Sequence, residues 1–174
     1  MEIAEHAASH LPFRDWCKHC IFGKAADWPH LSVTRTADGV PLVQVDYFFM
    51  NRKGDADIIG VLNCYDMPTG GLCLVETEKG PIDYTIKAVV RFLDDFLGRT
   101  TIRLRDDGEP AAGGFATAVQ AHRTHETQLE SSPRYSSGSL GAVERSNRTA
   151  EGQIRAMRSA KEERLKENLT TTIR

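Results

Sequence analysis

The chain lacks any long apolar stretch. No run of about 18 apolar residues occurs in it, so no membrane-spanning helix is expected. The N-terminal residues carry neither a basic flank nor an apolar segment, which argues against a secretory signal peptide.

Cysteine is scarce, with four residues in the chain. Only Cys17 and Cys20 are close together, and four cysteines without a secretory signal do not predict a disulfide framework. Cys64 and Cys73 lie in apolar, strand-like runs, so we expect them to be reduced and buried.

Charge of one sign is not in large excess. The net charge of −2 excludes neither a nucleic acid nor a small molecule as partner. With 26% charged and 40% hydrophobic residues among 174, the composition is typical of one soluble globular domain with a small appendage. Basic residues concentrate between positions 145 and 166: Arg145, Arg148, Arg155, Arg158, Lys161, Arg164 and Lys166. Interleaved glutamates also allow a solvated helix there without any partner.

Hydrophobic periodicity predicts an α/β protein with the order β-β-β-α-β-α-β-α. The predicted strands are residues 41–49, 57–65, 72–77, 100–106 and 126–130. The predicted helices are residues 81–97, 115–125 and about 142–166, with a turn at 37–39 and a Ser/Gly-rich loop at 131–141. We expect a first segment at 1–34 and a mixed sheet flanked by helices at 35–174.

Three acidic residues occupy three separate elements of this prediction. Asp46 lies in the first strand, Asp107 ends the fourth, and Glu144 opens the last helix. Carboxylates that converge from separate elements form a site for hard divalent metal ions, usually Mg²⁺. Paired metal ions are how proteins attack phosphodiesters.

Strand alternation indicates how two of these carboxylates meet. Asp46 shares the phase of Gln44, opposite the apolar phase, and Asp107 shares the phase of Arg103 and Arg105. If the two strands are neighbours, both side chains emerge on a common face. The same alternation favours Asp107 over the adjacent Asp106 as the candidate site carboxylate.

Helical geometry predicts the residues that share a face with the third carboxylate, Glu144. One stripe of the last helix holds Glu144, Arg148, Glu151 and Arg155, and offers a carboxylate to metals and arginines to a polyanion. A second stripe is expected to pack on the sheet, and it consists of Val143, Ala150, Ile154 and Met157. Taken alone, Glu144 also fits a residue that only complements the helix dipole.

The N-terminal segment contains a candidate metal centre. On a helix, His6 and His10 at i, i+4 spacing would share one face, and Cys17 and Cys20 form a CxxC pair. Two imidazoles and two thiolates complete a tetrahedron, which predicts structural zinc. Alternatives are unmetallated surface residues, or a redox CxxC whose βαβ context is missing. His19 or His30 could replace a ligand, whereas the other histidines, His122 and His125, are expected on the surface.

In their order and spacing, these motifs resemble a retroelement integrase of the DDE superfamily. The resemblance rests on VQVDYFFM, on LRDDGEPA, and on a Gly/Ser loop followed by GAVERSNRTAEGQIRAMR. Upstream, HAASHLPFRDWCKHCIFGKA resembles the zinc-binding His-His-Cys-Cys segment of LTR-type elements. The spacing between Asp107 and Glu144 is close to that of such integrases.

The resemblance implies an RNase H-like core of three antiparallel and two parallel strands, and an enzyme that performs DNA 3′-end processing and strand transfer. Asp46, Asp107 and Glu144 would hold Mg²⁺ (or Mn²⁺), and Arg148 and Arg155 would contact DNA phosphates. It also implies a homo-oligomer that acts in the nucleus, the site of integration, or otherwise in the cytoplasm.

The chain departs from the family pattern in several places. Few residues separate His10 from Cys17, Asp106 stands where the family often has Ser or Thr, and Gly138 and Leu140 replace the usual Gln and Asn. The chain ends soon after the last helix, without the usual C-terminal DNA-binding domain, which predicts a fragment of a polyprotein or an inactive copy. Two rival hypotheses therefore stay open: an RNase H-like nuclease, and a non-catalytic zinc and DNA-binding protein.

Overall fold

The computed structural model describes residues 2–23, 39–50, 58–132, 140–167 and 169. The chain divides into two compact units. The head unit comprises Met1–Leu31, Arg52–Asp57 and Asn147–Arg174, and the sheet unit comprises Ser32–Asn51 and Ile58–Ser146. The sequence-predicted boundary between residues 34 and 35 lies outside the described residues, as does most of the predicted turn at 37–39.

From the first strand onward the described helices and strands follow the predicted order, and two helices that were not predicted precede it. The helices are α1 (Glu2–Ser9), α2 (Lys18–Gly23), α3 (Asp83–Arg91), α4 (Pro110–His122) and α5 (Gly141–Leu165). The strands are β1 (Leu42–Met50), β2 (Ile59–Asp66), β3 (Leu72–Glu76), β4 (Thr101–Asp106) and β5 (Glu126–Ser131). Among these described helices, none is both long and apolar enough to cross a membrane.

The five strands form one mixed sheet in the order β3-β2-β1-β4-β5. β1, β2 and β3 pair antiparallel, as a meander does, whereas β4 and β5 continue the sheet with parallel pairing. The predicted fold class, three antiparallel and two parallel strands flanked by helices, is confirmed. β4 becomes the neighbour of β1, which is the condition on which the convergence of the two aspartates depends.

The main core lies between one face of the sheet and helices α3 and α4. Each large side chain buried here contributes about 1.5–3 kcal/mol relative to exposure to water. The fully or nearly fully buried members are Val43, Val45, Leu62, Cys64, Ile86, Val89, Leu93, Ile102, Leu104, Phe115, Ala116 and Val119. The opposite phase of β1 and β4 is therefore left for other contacts.

The predicted helix 81–97 is α-helical only over Asp83–Arg91 and continues as a π-helix over Phe92–Phe96. In the π segment the Leu97 amide donates to the Phe92 carbonyl at 3.0 Å, and the wider turn changes the phase of the following residues. Phe96, expected on the apolar stripe, is consequently 78% exposed. Gly98 ends the segment at a φ of 62°, as predicted.

The predicted apolar stripe of the last helix is wrong in its second half. Val143 and Ala150 are buried, but Ile154 and Met157 are exposed. Within the head unit, α5 instead buries Gly152 and Ala156 beside Gly23 of α2, where a Cβ on Gly23 would lie 2.3 Å from the Gly152 carbonyl oxygen. Because α2 approaches so closely, small residues occupy the contact in place of larger apolar ones.

Two further predictions have mixed outcomes. α4 starts five residues earlier than predicted, since Pro110 is accommodated in the first helical turn. Cys64 is buried as expected, whereas Cys73 is only partly buried, and both thiols are free. Residues 133–139 of the predicted loop lie outside the described residues.

Candidate active site and candidate metal centre

Asp46 lies in the middle of β1, on the sheet face opposite the main core. Its cross-strand neighbour on β2 is Asn63, and Gln44 precedes it on the same face. Gln44 is 2% exposed and Asn63 is fully buried, while Asp46 is half-buried. The candidate carboxylate therefore sits at the rim of a buried polar patch.

The two adjacent aspartates after Arg105 have different environments. Asp106 belongs to the buried phase of β4 and its carboxylate accepts a hydrogen bond from the Gly108 amide at 2.7 Å. Asp107 follows the strand, is half-buried, and accepts from the Glu109 amide at 2.9 Å. The phase argument for Asp107 thus agrees with the observed alternation, and Asp106 has a structural role in the turn.

The parallel pairing of β1 with β4 makes the strand of Asp46 the neighbour of the strand that precedes Asp107. Gln44 is opposite Arg105 in this ladder. The ladder ends at this pair, and Asp46 and Asp107 each follow two residues further along the chain. Neighbouring strands lie about 4.8 Å apart, so the segments that carry the two aspartates run side by side up to this pair.

Two side chains from the sheet hold the start of α5 on this same face. The Gln44 side-chain oxygen accepts a hydrogen bond from the Val143 amide at 3.0 Å, which satisfies one free donor of the first helical turn. The Asn63 amide donates to the Ser146 hydroxyl at 2.7 Å. Glu144 lies between these anchored positions and its side chain is exposed.

The three candidate carboxylates thus belong to β1, to the end of the neighbouring strand β4, and to the start of α5, which is hydrogen-bonded to β1 and β2. Their side-chain oxygens do not form a group within metal-sharing distance of one another; among the described residues, that distance is met by four side chains of the head unit. Binding of divalent metal by Asp46, Asp107 and Glu144 therefore stays a prediction.

Sequence patterns did not reveal Gln44 as an anchor of the helix. We expect Gln44→Met, which keeps the length of the side chain but removes the acceptor, to lower the free energy of unfolding by about 1–3 kcal/mol, because the Val143 amide loses a partner in a buried setting. Urea unfolding monitored by circular dichroism measures this change.

A matched control for this variant is Gln120→Met. Gln120 is exposed and its side-chain amide donates to the Thr127 carbonyl at 2.6 Å, so water can replace the lost bond and a smaller loss of stability is expected. Equal stabilities of the Gln44 variant and the unmodified chain would contradict the anchoring role.

The head unit brings together four candidate metal ligands from α1, α2 and the residues between these helices. His6 lies on α1, His10 follows that helix with a φ of 57°, Cys17 precedes α2, and Cys20 lies in its first turn. All four side chains are buried, and their ligand atoms lie within 4.8 Å of one another. The predicted His-His-Cys-Cys group is therefore present.

The distances within this group suit a tetrahedral ion. His6 Nε2 is 3.5 Å from Cys20 Sγ, and His10 Nδ1 is 3.4 Å from Cys17 Sγ. Zinc bonds of about 2.3 Å to sulfur and 2.0–2.1 Å to nitrogen, at tetrahedral angles, predict nitrogen–sulfur separations of about 3.6 Å. The donor set and its spacing fit zinc with four protein ligands.

Protonation states in the head unit respond to burial. The pKa of His10 is lowered by desolvation, and further by the neighbouring His6 and His19, which favours the neutral imidazole that a metal requires. The pKa of the Cys20 thiol is raised mainly by burial. A nearby cation is what stabilises a thiolate in such surroundings.

The alternative ligands proposed from sequence have different outcomes. His19 points to α5, where its Nδ1 lies 3.1 Å from the Ser159 hydroxyl and its Nε2 lies 3.3 Å from the Glu163 carboxylate. Both ring nitrogens thus have partners outside the group. His30 lies outside the described residues. His122 and His125 are exposed, as predicted.

The two candidate nucleic-acid residues belong to the head unit. Arg148 and Arg155 are both exposed on α5. Arg155 forms an i, i+4 ion pair with Glu151 at 3.2 Å, an arrangement that contributes little to stability on an exposed helix face. Their contact with DNA stays a prediction.

Comparisons with known proteins place the fold. No protein-family model and no curated protein matches the sequence. The structure resembles a chain of the simian T-cell lymphotropic virus intasome, solved in complex with PP2A regulatory subunit B56 gamma, with a TM-score of 0.50 and 20% identity. The match covers 68% of this chain and 41% of the intasome chain.

Two structures of the HTLV-2 integrase catalytic core domain in complex with magnesium are also similar. The dimeric form has a TM-score of 0.40 and 21% identity, over 62% of this chain and 66% of that chain. The trimeric form has a TM-score of 0.45 and 17% identity, over 70% of this chain and 83% of that chain. This likeness concerns the fold.

Proposed function

We propose that this protein is a retrotransposon integrase, which processes DNA 3′ ends and transfers them into target DNA. The observation that carries the proposal is the parallel pairing of β1 with β4, because it makes the strand of Asp46 the neighbour of the strand that ends just before Asp107. The hydrogen bonds from Gln44 and Asn63 to the start of α5 support it, because they hold the helix of Glu144 on the same face.

In this proposal the three carboxylates hold Mg²⁺ or Mn²⁺. Hard oxygen donors from two strand positions and one helix fit such ions. Asp46, Asp107 and Glu144 would hold these ions, which would supply activation of a water or DNA 3′-hydroxyl and charge stabilisation of the leaving oxygen. Asp46 and Asp107 fix the site from adjacent strands, and Glu144 completes it from the exposed flank of α5.

The head unit, in the same proposal, is a structural zinc module. His6, His10, Cys17 and Cys20 supply four ligands and leave no open position, so the metal stabilises the fold and takes no part in the reaction. Arg148 and Arg155 contact phosphates without reading sequence. The protein acts on DNA as a homo-oligomer in the nucleus.

The direct test incubates the protein with a DNA duplex bearing a free 3′-hydroxyl, a target plasmid and Mn²⁺. We expect covalent joining of the duplex to the plasmid, and no joining in EDTA. An RNA–DNA hybrid is the matched substrate control. Digestion of the hybrid without joining of DNA would favour an RNase H-like nuclease.

A second candidate is a non-catalytic zinc- and DNA-binding protein of transposon origin. It is favoured by one specific observation: among the described residues, the group whose ligand atoms lie within 4.8 Å of one another is the His-His-Cys-Cys set, not the carboxylates. It predicts DNA binding that persists in EDTA at the sheet unit, and no joining with Mn²⁺.

A further inference from the structure

A lysine that no motif singled out lies beside the candidate carboxylates. Lys79 is in the connection between β3 and α3, next to Gly80. The Tyr47 hydroxyl donates to the Gly80 carbonyl at 3.1 Å and accepts from the Gly80 amide at 3.2 Å. Tyr47 follows Asp46 on β1 and packs against the main core, on the opposite sheet face, so these bonds hold the Lys79 connection against the backbone of β1 beside Asp46.

The side chain of Lys79 is held in place by two partners. Its ammonium forms an ion pair with Glu109 at 2.5 Å and lies over the Phe49 ring, 5.4 Å from the centroid. Phe49 is on β1, and Glu109 follows Asp107 by two residues. The ammonium thus contacts one residue from each of the two segments that carry the candidate aspartates. The Lys79 side chain remains 36% exposed.

Several acidic side chains surround Lys79. The pKa of Lys79 is raised above its ordinary value, chiefly by the hydrogen bond to Glu109 and then by the nearby charges of Glu109, Asp107 and Asp46. Lys79 therefore carries a full positive charge at neutral pH, within the electrostatic field of both aspartates. The Glu109 carboxylate keeps the ammonium beside them.

We propose that Lys79 binds a phosphate of the DNA at the edge formed by Asp46 and Asp107, and that Glu109 positions its ammonium for this contact. The inference rests on the proposed function, because it names how that same site receives its substrate. A polyanion that approaches several carboxylates needs a local cation, and a lysine ammonium binds phosphate as a compact point charge. Lys79 is exposed enough to exchange Glu109 for a phosphate oxygen.

The test measures the salt dependence of DNA binding for the full chain in Mg²⁺. Fluorescence anisotropy follows a labelled duplex of mixed sequence across a series of KCl concentrations. Loss of one phosphate contact lowers the magnitude of the slope of log Kobs against log[salt] by about 0.9. We expect this decrease for Lys79→Gln, and a slope like that of the unmodified chain for Lys79→Arg, which keeps the charge.

Lys87→Gln is the matched control. Lys87 lies on α3 of the same unit, is 65% exposed, and pairs with Asp83 at 2.6 Å, so its removal changes the net charge equally at another place. Its slope should equal that of the unmodified chain. Circular dichroism establishes folding, and Lys79→Met replaces the glutamine variant if that variant does not fold.

Two results separate this inference from the proposed function. If the unmodified chain joins DNA but Lys79→Gln retains the full slope, the phosphate contact is overturned and the integrase proposal stands. If Lys79→Gln lowers the slope but the unmodified chain joins no DNA, the contact stands and the catalytic proposal fails. An equal decrease for Lys87→Gln also overturns the contact, because the effect is then one of net charge.

Discussion

Strand transfer is expected to disappear in Asp46→Asn while the chain keeps its fold and its zinc content. Asparagine preserves the size of the side chain but removes the negative charge that a divalent cation requires. Even partners that only orient a metal ligand cost about 10–100-fold when they are changed, so the loss of a direct ligand should exceed about 100-fold. The measurement is the rate of Mn²⁺-dependent joining of duplex DNA to a plasmid.

The matched control for this variant is Asp95→Asn. Asp95 is an exposed aspartate in the π-helical segment after α3, away from the strands that carry the candidate site. It should join DNA at the rate of the unmodified chain. Strand transfer retained by Asp46→Asn would remove Asp46 from the site, and with it the assignment of all three carboxylates.

The second large effect concerns the head unit. Cys20→Ser is expected to lose zinc and to unfold α1 and α2, because a structural zinc site contributes about 10–16 kcal/mol of apparent binding free energy to such a small module. Among the described residues 2–23, the apolar side chains that are buried are chiefly those of Cys17 and Cys20 themselves. Zinc content by atomic absorption and protease resistance of the first 23 residues measure the effect.

A cysteine elsewhere provides the matched control for this prediction. Cys73 is a free, partly buried thiol on β3, opposite Cys64 in the sheet. Cys73→Ser should retain one zinc ion per chain, and its first 23 residues should remain resistant to protease. The first 23 residues are compared in Cys20→Ser and in the unmodified chain after EDTA treatment. If they stay folded in either, the four side chains need no metal.

The sequence alone determined the order of elements from β1 onward and the faces of the strands. Alternation in β1 and β4 is a local property, so it separated Asp46 and Asp107 from the buried phase before any neighbour was known. The spacing of His6, His10, Cys17 and Cys20 is equally local, because all four lie within one short segment that can close on itself. The short connections of the first three strands predicted an antiparallel meander, whereas the place of β4 beside β1 was only a condition in the sequence argument and was decided by the tertiary structure.

Periodicity was less successful where the partner of an element lies far away in the chain. Ile154 and Met157 continue the apolar stripe of Val143 and Ala150 on an ideal helix, yet they are exposed, since α2 packs closely on the small residues of that half of α5. Phe96 likewise left its predicted stripe, because a π turn changed the phase of the helix after Phe92.

The tertiary structure alone decided which groups surround the candidate carboxylates. Gln44 meets Val143 across 99 positions of sequence, Asn63 meets Ser146 across 83, and Lys79 meets Glu109 across 30. No local pattern encodes such pairs, because each depends on the direction and register of β1 against both β2 and β4. The residue types needed for a metal site could be read along the chain, whereas the hydrogen bonds and the cation that arrange them arise only when distant segments pack together.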